Sequence, residues 1–110
     1  MVQLKSAARY FLKLGVKIIM ISLGEKGAVV ADENSCWFAK SPAVQVQNTI
    51  GCGDAMIGGF LYGYHKSRDI GQCLKTAVAA GAANCLSLQP GQLTLDQVWR
   101  LRKEVKLARC

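Results

Sequence analysis

The residues of this chain best placed to do chemistry are Asn48-Thr49-Ile50-Gly51-Cys52-Gly53-Asp54, a polar loop punctuated by glycine that runs into an apolar segment. Gly51 and Gly53 carry no Cβ, so the backbone can turn sharply and approach a ligand closely. A helix starting here leaves its first N–H groups without intrahelical partners and places partial positive charge at its end. Gly51, Cys52 and Gly53 then form a cup of donors suited to a phosphate or a developing oxyanion. Asp54 reads two ways. It caps or neutralises the helix start, as aspartate commonly does, or it is a carboxylate beside an anion site, able to take a proton from an attacking hydroxyl.

Other groups offer less. The five cysteines, Cys36, Cys52, Cys73, Cys85 and Cys110, include no C-x-x-C pair, and His65 is the single histidine. That pattern argues against a zinc site and against a disulfide framework. Cys73 and Cys85 fall on apolar helix faces, where free cysteine is a small core residue. Cys52 is a candidate reactive thiol, with packing or a backbone role as the plainer alternative. His65 lies among Lys66 and Arg68 at a helix end and reads as a surface residue.

The elements that must position the loop follow from periodicity. Leu4, Ala7, Ala8, Phe11, Leu12 and Leu14 recur at helical spacing, which predicts a helix over 3–14 with Gly15 as its stop. Val16 to Ser22 is a short β-branched run and predicts a buried strand; the helix before it suggests an αβ unit feeding a parallel sheet. Ser22-Leu23-Gly24-Glu25-Lys26-Gly27 makes a turn at the strand's C-terminal end, the edge where ligands collect in open α/β sheets. A simple hairpin turn into Gly27–Ala31 satisfies the same residues. Strands are expected at 27–31 and 36–39 around the polar turn Asp32–Ser35, with a further short strand at Ala43–Val46. A helix over 53–66 follows the loop. Gly58, Gly59 and Gly63 each weaken it by roughly 1 kcal/mol against alanine, so close packing on a neighbour must compensate. Residues 70–87 form an alanine-rich helix, and Thr94 with Gln97 nears a capping box for a last, basic-faced helix reaching about Lys106.

The stretch from Asn48 to Leu61 resembles the C-terminal signature of the ribokinase-like (pfkB) sugar kinases: an acidic or amide residue, threonine, Gly-x-Gly-Asp, then a small-residue helix ending in Gly-Phe-Leu. Ser22, Gly24 and Gly27 match the Ser/Thr-x-Gly-x-x-Gly segment of the same kinases. The resemblance implies the C-terminal part of a ribokinase-like three-layer α/β/α sandwich. It implies ATP and Mg²⁺ as cofactors and phosphoryl transfer to a hydroxyl of a sugar or sugar phosphate. Carried over by position, Gly51, Cys52 and Gly53 line the anion hole and Asp54 is the catalytic base. Ser22, Gly24 and Gly27 lie against the nucleotide's ribose and phosphates, and Ala80, Ala83 and Asn84 border the adenine. The local wording is most similar to the 1-phosphofructokinase and tagatose-6-phosphate kinase branch. The family's Asn-x-x-Glu motif, which helps organise the magnesium, has no counterpart here. Residues 1–110 are therefore expected to be one partial domain, lacking the sugar-binding portion.

Composition bounds the alternatives. The chain has 110 residues, is 51% hydrophobic and carries a formal charge of +7. That length allows at most one domain. No uncharged apolar run is long enough to span a bilayer and no charged-then-apolar leader opens the chain, so a cytoplasmic protein is expected. The positive charge is spread between the first helix (Lys5, Arg9, Lys13) and the last (Arg100, Arg102, Lys103, Lys106, Arg109), without an aromatic-plus-basic motif for RNA or DNA. A solvated basic face that steers anionic substrates is the reading it supports. The rival to an enzyme is an inactive nucleotide-binding or interaction module. Its unpaired sheet edge would recruit a partner chain, a homodimer among the outcomes.

Overall fold

The computed structural model describes residues 2–110. Four helices, α1 (Val2–Lys13), α2 (Cys52–Lys66), α3 (Ile70–Leu86) and α4 (Leu95–Arg102), accompany four strands, β1 (Ile19–Ser22), β2 (Gly27–Ala31), β3 (Cys36–Lys40) and β4 (Lys106–Arg109). The strands form one sheet in the order β1-β2-β3-β4, and every pair is antiparallel. The parallel sheet expected from the helix–strand opening is not what forms among the described residues. Ser22 pairs with Ala28 across a connection only a few residues long, and a parallel crossover needs a dozen or more.

Local chemistry explains the ends. Gly15 terminates α1 at φ 101° and donates its N–H to Leu12 O at 3.1 Å. Between β2 and β3, Asp32 Oδ1 accepts from the N–H groups of Asn34 and Ser35, both at 2.8 Å, which closes the polar turn. Asp69 caps α3 by accepting from Gln72 N, and Thr94 with Gln97 completes the capping box of α4. Two expectations fail. Residues 43–46 form no strand, and α4 stops at Arg102, after which Lys106–Arg109 pairs with β3 as an edge strand.

The core is organised around α3, which packs on β2, β3 and β4 along one side and on α2 and α4 along others. Leu74, Ala77, Ala79 and Ala83 are wholly excluded from solvent. Ala28, Val30 and Ala39 belong to the same buried cluster, with Trp37 packed against it. Small residues set the spacing: a Cβ on Gly71 would come within 3.0 Å of the Trp37 indole. The glycines of α2 are likewise explained in part. A Cβ on Gly59 would meet Ala80 Cβ at 2.8 Å and one on Gly63 would meet Cys73 Cα at 3.3 Å, whereas Gly58 faces open space. α4 is pinned to α3 by the Arg102 guanidinium, which donates to Thr76 Oγ1 at 2.9 Å and to Gln72 Oε1 at 2.8 Å. At the other end of the sheet α1 rests against β1.

Candidate active site

The loop before α2 takes its shape from Gly51. This residue is the N-cap of the helix and sits in the left-handed region at φ 78°, where a side chain is strained. The Ala55 N–H donates to Gly51 O at 2.8 Å, so the N–H groups of Cys52, Gly53 and Asp54 precede the first hydrogen-bonded turn. They point out of the N-terminal end of a 15-residue helix, where partial positive charge collects. Asp54 is exposed in that first turn, and Gly51 receives no side-chain cap, so the carboxylate does not act as the N-cap. A Cβ on Gly53 would meet nothing within 4 Å. Packing within the chain therefore does not require a glycine there, and the space beside it is open.

The Ser22–Gly27 turn is built by different means. Gly24–Lys26 forms a single 3-10 turn, Leu23 N donates to Gly27 O at 2.8 Å, and Gly24 adopts φ 62°. Gly27 is fixed twice over: its φ is 120°, and a Cβ would lie 1.9 Å from Ala39 O. Only glycine lets β2 run this close to β3.

These two loops face each other across a cleft of about 900 Å³, lined among others by Ser22, Gly24, Gly27, Thr49, Cys52 and Gly53. It is within the size range of ligand sites, about 300–1,000 Å³. From α3 the cleft receives Val78, Gly81, Ala82 and Cys85. The other sequence-predicted residues stand elsewhere. Ala80 and Ala83 are buried, Ala80 against Gly59 of α2, and neither lines the cleft. Asn84, 1% exposed, turns inward as well. The α3 residues that line the cleft are therefore sequence neighbours of the positions that the resemblance sets beside adenine.

Asn84 joins two neighbouring segments of the chain. Its Nδ2 donates to Ile50 O at 2.8 Å and its Oδ1 accepts from Gly91 N at 2.8 Å, so it ties the loop before α2 to the turn after α3. Asn48 completes the arrangement. Its Nδ2 donates to the carbonyls of Asn84 and Ser87 at the end of α3, the first of which also accepts from Ser87 N at 3.1 Å, while Asn48 Oδ1 is buried without a partner. Sequence reasoning places Asn48 only as the first residue of a motif. Its spacing from Thr49-Ile50-Gly51 is the available signal, but the helix end it answers lies 36 residues away.

Cys52 and Cys85 meet beside the same loop, their sulfurs 2.6 Å apart. Burial and the hydrogen bond to Cys52 push the Cys85 thiol up to about 12. His65 is exposed, as the sequence implied. Among the described residues no helix is long and apolar enough to cross a membrane.

A glycine-built loop at a helix N-terminus thus faces a second glycine turn across a ligand-sized cleft, in an α/β arrangement. The family model for pfkB family carbohydrate kinases matches residues 2–96, and the chain belongs to that family. It is 40% identical over 80 residues to 1-phosphofructokinase of Escherichia coli strain K12, a match covering 71% of this chain and 26% of that enzyme. Against 1-phosphofructokinase of Bacillus subtilis it is 30% identical over 95 residues, covering 86% of this chain and 31% of the relative. Phosphofructokinase-2 from Escherichia coli, in complex with potassium, superposes with a TM-score of 0.86 at 26% identity, over 92% of this chain and 33% of that one. Ribokinase from Thermotoga maritima superposes at 0.80 with 25% identity, over 89% of this chain and 34% of its own. The fold is thus that of part of a ribokinase-like α/β kinase, and the chain spans about a third or less of the proteins it matches.

Proposed function

We propose that this chain is the nucleotide-side, base-bearing portion of an ATP-dependent kinase that phosphorylates a hydroxyl of a sugar phosphate, with a 1-phosphofructokinase-like acceptor. The observation that carries this reading is the cleft itself, in which the Ser22–Gly27 turn faces the N-terminus of α2. The residues fit a nucleotide. Gly24 and Gly53 leave room where a Cβ would have no neighbour, and the small residues Gly81 and Ala82 offer a flat wall. We assign the adenine contact to that wall in place of Ala80, Ala83 and Asn84.

Bound ATP supplies the phosphoryl group to be transferred. Ser22, Gly24 and Gly27 flank its ribose and phosphates. The N–H groups of Gly51, Cys52 and Gly53 hold the negative charge that builds on the transferring group, preorganised and at no reorganisation cost. Asp54, one residue beyond, takes the proton of the acceptor hydroxyl. Among the described residues no three His, Cys, Asp or Glu side chains gather to hold a metal ion. The magnesium that the family pattern implies therefore has no site made by these residues alone. Contacts to the sugar are assigned to parts of the kinase outside this chain, residues 1–110 being one partial domain of it.

The test is calorimetric titration of the full-length protein with Mg·ATP, beside a coupled assay offering fructose 1-phosphate and tagatose 6-phosphate. Nucleotide binding with turnover of one sugar phosphate is expected. A folded protein that neither binds nor turns over would overturn the reading.

A further inference from the structure

Cys52 occupies the first helical position of α2, inside the anion loop, and Cys85 lies one turn along α3 from Gly81. The approach of the two helices brings them together. A Cβ on Gly81 would stand 3.5 Å from Cys52 O, so α3 passes the start of α2 with only a glycine between them. The sulfurs are consequently 2.6 Å apart, both as free thiols, and a disulfide bond of about 2.05 Å needs only a small further approach. Their surroundings differ. Asn84 Nδ2 directs an N–H at Cys52 Sγ at 3.4 Å, which makes that sulfur an acceptor. Cys85 is desolvated and its thiol is pushed up, and either thiol can donate across the contact. Both residues are half-buried and line the cleft, so a small oxidant reaches them from solvent.

We propose that Cys52 and Cys85 are a reversible modification site: a dithiol that exchanges with low-molecular-weight disulfides, such as oxidised glutathione, to form a bond locking the anion loop onto α3. Cys52, its proton given up to solvent, attacks one sulfur of the external disulfide. That S–S bond breaks and one glutathione thiolate leaves. Cys85 sulfur, giving up its own proton, then attacks Cys52 Sγ in the mixed disulfide, and the second glutathione thiolate leaves. Two cysteine thiols are oxidised by two electrons, one external disulfide is reduced, and the two protons end on the two glutathione thiols. The chemistry does not depend on the kinase reading.

The experiment is peptide mapping of the full-length, folded protein after incubation with oxidised glutathione. Trypsin releases Cys52 in peptide 41–66 and Cys85 in peptide 76–100. The expected result is near-complete linkage of these two peptides, with loss of two maleimide-reactive thiols and full recovery in dithiothreitol. Cys85→Ser should instead leave Cys52 carrying one glutathione as a stable mixed disulfide. Cys36, whose thiol lies beside that of Cys110, is the internal comparison. Peptides 41–66 and 76–100 remaining unlinked, or Cys52 pairing with another cysteine, would overturn the proposal. So would a Cys85→Ser protein in which Cys52 takes up no glutathione.

Discussion

Asn48 and Asn84 hold each other's neighbourhoods: Asn48 Nδ2 donates to the backbone carbonyl of Asn84 at 3.1 Å, while Asn84 Nδ2 reaches back to Ile50 O at 2.8 Å. The anion loop is thereby tied to the end of α3 through two amides, one answering the helix terminus and one answering the loop. Asn84→Ala leaves Ile50 O and Gly91 N without their partner, two part-buried hydrogen bonds. We expect a loss of about 1–3 kcal/mol for such unsatisfied groups, read as a fall in the urea midpoint. An unchanged midpoint would show that the loop is held by other means.

Asp54 is exposed and caps nothing, so its removal should cost little structure. In the full-length protein Asp54→Asn should lower turnover by roughly 10²–10⁴-fold, the range for general base catalysis, while the Mg·ATP dissociation constant stays put. An enzyme that keeps its kcat after this change does not use Asp54 as the base.

Gly53 separates a folding role from a binding role. It lies within α2 and a methyl group there would touch nothing in the chain. Gly53→Ala should therefore raise stability, by about 0.8–1.0 kcal/mol on helix propensity. The same methyl group enters the cleft beside the anion site, so nucleotide affinity should fall. Thermal unfolding and calorimetry on one sample decide it, and a tighter-binding variant would refute the placement of the phosphates.

Gly27 is the opposite case. Its φ of 120° and the 1.9 Å that would separate an added methyl group from Ala39 O leave no room for alanine. Gly27→Ala should cost at least the roughly 1–3 kcal/mol of such backbone strain and part β2 from β3 at that end. Amide exchange at Ala28 and Lys40 would report it, and native protection in the variant would contradict the packing.

Alkaline stability follows from the thiols. Cys85 and Cys110 are both pushed up to about 12 from 9.0, chiefly by burial. Between those values the unfolded chain has released protons that the folded chain still holds. Stability is therefore full below pH 9 and declines as pH rises towards 12. Cys85→Ala should flatten that decline in denaturant titrations at stepped pH. An equally steep decline in the variant would assign the effect elsewhere.

Much of this molecule is legible in its sequence because the signals are local. Gly15, Asp69 and the Thr94–Gln97 box mark helix ends within a turn of themselves, and the Gly-x-Gly-Asp run announces both a tight turn and a helix start. Strand direction is not, since an apolar run carries no record of its partner. The short connection from Ser22 to Ala28 holds the answer, but the preceding helix suggests a crossover. β4 is hidden for a related reason. Lys106 and Arg109 belong to an edge strand, where charge is tolerated, and in sequence they continue the basic face of α4. In α3 nearly every residue is small and apolar, so composition cannot fix which face meets the cleft. The resemblance points to Ala80, Ala83 and Asn84, and the structure lines the cleft with their neighbours Gly81, Ala82 and Cys85.

The segment before α2 also hangs on α3 by its backbone, with Gln47 N donating to Cys85 O at 2.7 Å and Asn48 N to the same carbonyl at 3.3 Å. Its anchor is thus the final turn of a helix, the part that frays first. Unwinding that turn removes the carbonyls on which the segment depends, so helix end and anion loop should open as one cooperative unit in hydrogen exchange. The loop's protection is then capped by the opening free energy of residues 84–87, and a ligand gripping the loop would quiet the fraying of the helix end that anchors it.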